Sequence, residues 1–362
     1  MHDRFRSLLA VCLALAATCS LGVQGIAHGL GRKVAAAESD APNDIDTVVI
    51  ALTKEGRGQA NRTGRIVEFS GEFLRLAREG QRDELIPAAR VVSFEIRWPE
   101  GYAAGRQQYQ KRDYAAALDA YRAAAKAESR EWVRGRLLAR ASDCYRELGQ
   151  WQRAADLFLQ LYAADSKTPE LGIIPLRWSL QGATAGALHQ APLTPDEATQ
   201  ARQWLSQSEN AAERLLGASW LLDTTNRDDA LKVLTLLTKQ GDLRLRPLAA
   251  AQLWRARFVA RPAEDELANN LKTEELELWE RQVGEMEEAV RAGPYWVIAA
   301  GWERLAQPQP AVWNFLRLPI LYPDHHALVR AALEQSARQL DELGQGAAAL
   351  RVRAELATFT ER

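Results

Sequence analysis

The sequence predicts a mainly α protein: an α–α superhelix of helical hairpins, preceded by a small five-stranded β-barrel-like module. Three observations carry this. Apolar residues recur with period two and β-branched side chains from about residue 45 to 98. From Tyr102 onward the period becomes helical. Within that helical stretch a single pattern of small and aromatic residues returns with the same spacing.

The amino-terminal 37 residues read as an export signal or an uncleaved membrane anchor. Arg4 and Arg6 supply positive charge, residues 7–27 form an apolar stretch, and Ala35-Ala36-Ala37 offers the small residues a signal peptidase needs before Glu38. Export places the protein in the periplasm or at the cell envelope, and any membrane contact is expected only through an uncleaved amino-terminal segment. Two of the three cysteines, Cys12 and Cys19, fall inside this segment. Once it is removed, Cys144 stands alone and the fold must rest on packing rather than on a disulfide.

Residues 38–43 are small and polar and read as a tether. The β-module follows over 44–98, with strands expected at 48–52, 65–69, 73–77, 84–86 and 91–97. Ser70-Gly71 turns the second strand into the third, and Pro87-Ala88-Ala89 makes a one-turn break before the last. Five short strands with such a break suggest a barrel that closes its own edges. Asn61-Arg62-Thr63 has the form of a glycosylation sequon and reads as a turn.

The helical array is expected over 101–362. Tyr114, Ala117, Tyr121 and Ala124 form one series. Trp151, Ala154, Phe158 and Leu161 repeat it, and Pro308, Ala311, Phe315 and Leu318 repeat it again. Antiparallel helices approach closely where a small side chain sits at the crossing, and an aromatic one turn later fills the gap to the next pair. Gly105, Ser142 and Ala299 are small at equivalent places in the preceding helices. Ala117 to Ala154 is 37 residues and Ala311 to Ala349 is 38, while Ala154 to Ala230 and Ala230 to Ala311 are about two units each. This spacing predicts about seven hairpins, including less regular ones near 171–207 and 243–291; residues 261–270 read as a polar loop or a frayed helix end.

These series resemble the tetratricopeptide repeat, most closely over 101–165, then over 292–324, and less fully over 325–360. In the last copy Ala349 and Leu356 keep the pattern while Gly346 and Arg353 replace its aromatics, as suits a terminal repeat whose outer face meets water. The β-module is similar in pattern to Sm-like and SH3-like small barrels. The tetratricopeptide resemblance implies a concave groove lined by the first helix of each hairpin. Carried over by position, the groove residues are Tyr102, Arg106 and Tyr109, then Ala139, Asp143 and Arg146, then Trp296, Ala300 and Glu303. Such a mixed aromatic and charged surface suits an extended peptide or a neighbouring subunit. No asparagine lies between Asn61 and Asn210, so the family's carboxylate clamp for chaperone tails is not supported.

The remaining signals point away from chemistry. A net charge of −1 offers no reason to expect nucleic acid as a ligand. There is no phosphate loop, nucleophile elbow, HExxH or paired-cysteine metal motif. His325-His326 are neighbours on different helix faces, a poor arrangement for one metal ion. Cys144 reads as a small buried side chain. Leu276, Trp279, Val283, Met286 and Val290 make an apolar stripe through the acidic run 264–288, whose charges are then its solvated face. The reading is a non-catalytic scaffold or adaptor of the cell envelope with no cofactor, binding a protein or peptide. The alternative is an envelope glycan- or polymer-binding module with the repeats as spacer.

Overall fold

The computed structural model describes residues 36–38, 45–52, 58–180, 188, 190–259 and 270–360. The chain forms two compact units that divide between Pro175 and Leu176, and each is taken by itself.

The first unit holds the β-module and the first two hairpins. Its strands are β1 (Ala36–Glu38), β2 (Asp46–Ala51), β3 (Gln59–Phe69), β4 (Phe73–Ala77), β5 (Glu84–Pro87) and β6 (Val91–Ile96). They lie in the order β1-β6-β2-β3-β4-β5. All pairs are antiparallel except β1 with β6. The five expected strands are thus present, with a 3-10 turn at Ala88–Arg90 before the last. The rest of the amino-terminal segment lies outside the described residues, and the expected cleavage point before Glu38 falls within β1.

Three expectations change. β3 begins well before residue 65, so Asn61-Arg62-Thr63 is not a turn but strand, paired with Val49, Val48 and Thr47 of β2. β3 also serves two ladders: its first half pairs with β2 and its second with β4. The handover is at Gly64, where a Cβ would stand 2.5 Å from the Ala77 carbonyl oxygen, so glycine permits the close approach. Lastly, the edges do not close on each other: no ladder joins β5 to β1 or β6 among the described residues. β5 is short and ends in Pro87, which has no N–H to offer.

A helical pair covers the sheet instead. The helices of this unit are α1 (Tyr102–Gln110), α2 (Tyr114–Ala127), α3 (Glu131–Glu147) and α4 (Trp151–Ala164). The Trp132 indole N–H of α3 donates to the Ile66 carbonyl at 3.3 Å. Its ring meets Phe69 and Phe94 edge-on. The Arg136 guanidinium lies 4.9 Å and 4.8 Å from the same two ring centroids and pairs with Glu170 at 3.1 Å. Val48, Ile66, Leu74 and Phe94 of the strands therefore share one buried core with Ala117, Tyr121, Leu137 and Ala154 of the helices. The turn between β3 and β4 is fastened too: the Gly71 N–H donates to the Asp165 carboxylate at 2.7 Å, just past α4.

The small-residue series does its expected packing. A Cβ on Gly105 would stand 2.8 Å from the Tyr121 ring. The Ser142 hydroxyl donates to the Ala154 carbonyl at 3.0 Å, and Ala117 and Ala154 are wholly buried. Asp113 caps α2 by accepting the Ala116 N–H.

The second unit contains α5 (Pro195–Gln207), α6 (Ala211–Leu221), α7 (Arg227–Gln240), α8 (Arg246–Val259), α9 (Thr273–Glu285), α10 (Ala292–Arg304), α11 (Pro308–Leu321), α12 (His326–Glu342) and α13 (Gly346–Thr360). Successive helices pack on each other except α8 and α9, whose main chains stay apart; α10 touches both. The hairpin expected near 243–291 is α8 with α9, joined by the stack of Trp254 on Trp279 at 5.1 Å. Leu276, Trp279, Val283, Met286 and Val290 are buried. The polar loop at 261–270 lies outside the described residues apart from Asn270. On α13, Ala349 and Val352 are buried while Leu350 is exposed and Arg353 pairs with Asp341.

Of the hairpin expected near 171–207, the described residues show only the second helix, α5, and residues 174–180 have no regular secondary structure. Pro169 and Pro175 remove two helix donors from the place where a first helix would run. Among the described residues there are six hairpins and one single helix.

The glycine contacts make a contrast. On Gly71→Ala the new Cβ would overlap the Lys167 main chain, and we expect a loss of about 1–3 kcal/mol. Gly284, in α9, has nothing within 4 Å of such a Cβ, so Gly284→Ala should be neutral or gain up to about 1 kcal/mol. Urea midpoints of the two variants against the parent check both signs.

Candidate functional site

The inner-helix residues expected to line a groove are mostly committed inside their own unit. Tyr102 is buried, with its ring stacked on Trp98 at 4.0 Å. Tyr109 is buried edge-on to Tyr114 at 5.4 Å, and its hydroxyl hydrogen-bonds Arg146. Arg106 is half-buried on α1. Asp143 pairs with Arg146 at 2.9 Å and with Arg140 at 3.4 Å, and Arg146 also reaches Glu147 at 3.6 Å. Burial opposes the Arg146 charge, but Asp143 and Glu147 outweigh it and hold the guanidinium protonated. Ala139 and Ala300 are buried. Trp296 is wholly buried against Phe315, and Glu303 accepts from Arg338 at 2.6 Å and Gln339 at 3.2 Å. Tyr102, Tyr109, Asp143, Trp296 and the two alanines therefore do not present an open face; packing within each unit turns them inward.

The second unit also holds a buried segment of irregular main chain among its helices. Residues 176–180 cross α6, α8 and α10 without helix or strand pairing. A buried main chain needs a partner for every N–H and C=O, and each of residues 177–179 finds both in side chains. The Arg177 N–H donates to the Ser219 hydroxyl at 2.9 Å, and its carbonyl accepts from the Gln252 amide at 3.1 Å. The N–H groups of Trp178 and Ser179 both donate to the Gln190 side-chain oxygen at 3.0 Å. The Trp178 carbonyl accepts from the Trp296 indole at 3.1 Å, and the Ser179 carbonyl from Arg255 Nε at 2.9 Å. The Trp178 ring lies where a Cβ on Gly293 would be, so only glycine leaves room for it.

Arg255 is the hub of this clamp and is fully buried. Besides Ser179 it donates to the Ser219 carbonyl at 2.9 Å and to the Gln252 oxygen at 3.1 Å, and it faces Asp223 at 3.4 Å. Burial lowers its pKa to about 10, with Asp223 working against the shift and nearby Arg177 adding to it. It stays charged at neutral pH, so it donates to the peptide carbonyl as a cation. Sequence reasoning missed Ser219, Gln252 and Arg255. The signal to be found was Gln252 and Arg255 three apart on the same face of α8, together with the period-two Leu176, Trp178, Leu180.

No protein-family model, curated protein or solved structure matches the chain. The sites must therefore be read from their own chemistry. Among the described residues, no cluster of three or more His, Cys, Asp or Glu could hold a metal ion. His326 is buried edge-on to Phe359, and His325 faces Tyr322. Among the described residues, no helix is long and apolar enough to cross a membrane. In the first unit a cleft of about 490 Å³ is lined by Asp46, Arg65, Ile66, Val67, Arg97, Ser129 and Arg130. Arg130 is held there by Glu128 at 2.7 Å and by the Arg97 carbonyl at 2.8 Å, while the Asp46 carboxylate accepts the Ile66 N–H at 2.7 Å.

Cys144 is wholly buried beside the Asp143–Arg146 pair. Burial, then Asp143 and Glu147, push its thiol up to about 12, so it is no nucleophile at neutral pH. The raised value fixes the sign of a pH effect. The unfolded thiol loses its proton first, at about pH 8.5, so stability present below that pH is lost as the pH climbs toward about 12. Urea unfolding between pH 8 and 10 should show stability falling by at most about 1.4 kcal/mol per pH unit from this group. Cys144→Ala should remove that share of the slope; an unchanged slope would mean that the thiol titrates alike in both states.

Proposed function

We propose that the chain is a non-catalytic scaffold or adaptor of the cell envelope, related to tetratricopeptide-repeat proteins and using its helical hairpins to bind protein partners. The observation that carries this is the clamp on residues 176–180. It is an instance of these helices holding non-helical main chain by side-chain hydrogen bonds, the kind of contact by which a helical groove could hold a peptide. The export signal in residues 1–37 supports the envelope location.

Partner capture tests it. The inner helices of the first two hairpins keep two cations within reach of solvent, Arg106 and Arg140. After cross-linking of envelope fractions, the full chain should recover a specific partner in near-stoichiometric amount. Arg106→Ala with Arg140→Ala should cut that recovery at least tenfold with an unchanged thermal melt. Failure to enrich any partner with the parent chain would remove this reading.

A second reading is favoured by the arginine-lined cleft of the first unit, which suits an anionic glycan or polymer of the envelope. The β-module shares its core with α1 to α4, so the full chain is the proper test object. Incubated with purified cell wall at low salt, it should pellet. Arg65→Ala with Arg97→Ala should leave it in the supernatant, as should high salt. A parent chain that never sediments excludes the reading.

A further inference from the structure

We infer that the cleft of the first unit is a seat for one oxyanion, a phosphate or a carboxylate, borne on a sugar-sized body. This rests on the second reading above and narrows it from a polymer to the single unit that enters the site.

The cleft lies where the start of β2, the middle of β3 and the end of β6 meet the start of α3. The β3–β4 ladder pairs Ile66 with Leu76 and Glu68 with Arg75, so Val67 between them is a bulge. At this bulge the β3 wall carries Arg65 and Val67 together.

Three arginines line the cleft, Arg65, Arg97 and Arg130. Two carboxylates stand against them, and both are committed to the protein. Asp46 accepts the Ile66 N–H at 2.7 Å, just where β3 leaves β2 for β4, and Glu128 holds Arg130 at 2.7 Å. Three cations against two anions leave one positive charge in excess. The helix adds to it. Arg130 is the cap residue of α3 and no side chain caps that helix, so the positive end of its dipole faces the same place.

The arginines differ in a useful way. Arg130 is preorganised: Glu128 takes its Nε and one Nη2 bond, and the Arg97 carbonyl takes another at 2.8 Å. Arg65 is exposed and has no acceptor among the described residues. Its planar fork is therefore available to an arriving oxyanion, and such a fork fits phosphate and carboxylate alike. The volume of about 490 Å³ lies in the range of small-molecule sites and is far more than one ion fills. The anion accordingly comes with a body, whose apolar side rests on Val67.

Calorimetric titration of the full chain at low salt tests this, with glucose 1-phosphate, glucuronic acid, glucose and inorganic phosphate as probes. The two sugar acids should bind saturably and glucose should not. Binding of only one of the two names the oxyanion and keeps the seat. Arg65→Ala should weaken binding roughly tenfold with an unchanged thermal melt, and Arg65→Lys should weaken it less. Silence of both sugar acids overturns the inference, as does an Arg65→Ala chain that binds like the parent. Inorganic phosphate binding as tightly as glucose 1-phosphate overturns the sugar-sized body. If the chain pellets with cell wall yet no sugar acid titrates, the polymer reading stands and the seat falls. If the sugar acids titrate and the chain never pellets, the seat stands and the polymer reading falls.

Discussion

A peptide segment inside a helical protein has no strand neighbour to satisfy its main chain, and this constraint organises the second unit. Arg177, Trp178 and Ser179 bring six polar groups into a buried place, and all six are met by side chains. Leaving one buried group unmet costs about 1–3 kcal/mol, so the identities of Ser219, Gln252 and Trp296 follow from the segment's path. Arg255 must be more than a donor. A buried guanidinium requires several acceptors and a counter-charge, and it has the carbonyls of Ser179 and Ser219, the Gln252 oxygen and Asp223. One residue thereby ties the segment to α6 and α8 together.

The first unit meets a different constraint. Among the described residues its sheet does not close into a barrel, and its apolar face is covered from outside. α3 does this with Trp132 and Arg136. The arginine is buried, which lowers its pKa, and Glu170 opposes that shift. Its place between Phe69, Phe94 and Glu170 lets a charged side chain complete an aromatic cluster without an unpaired charge. The β-module is therefore one wall of a joint core with the first hairpins.

Legibility follows locality. The strands at 73–77 and 91–96 are readable because alternation is a property of a few neighbouring residues, and Leu74 and Leu76 do face the core. The small-residue series is readable because helix crossings repeat, and Gly105 against Tyr121 is one such crossing. The segment 171–180 escapes because a count of two repeat units between Ala154 and Ala230 overrides Pro175, the nearby Pro169 and the period-two Leu176, Trp178 and Leu180. The burial of several expected groove residues is harder to read for a different reason. Position on a first helix says which face a side chain occupies, but the burial of Tyr102 depends on Trp98, which lies outside the array.

The clamp also bears on what a helical array without strict repeats can hold. Where a first helix is expected to cover α6, α8 and α10, the described residues show an irregular segment. A helix satisfies its own main chain and asks its neighbours only for apolar contact. An irregular buried segment asks for donors and acceptors at set positions, so the helices around it carry polar side chains that meet main chain. Ser219, Gln252, Arg255 and Trp296 form such a set, and Gly293 adds a notch for one flat ring. Where the described residues lack a first helix, the unit is thus held by side-chain hydrogen bonds to main chain.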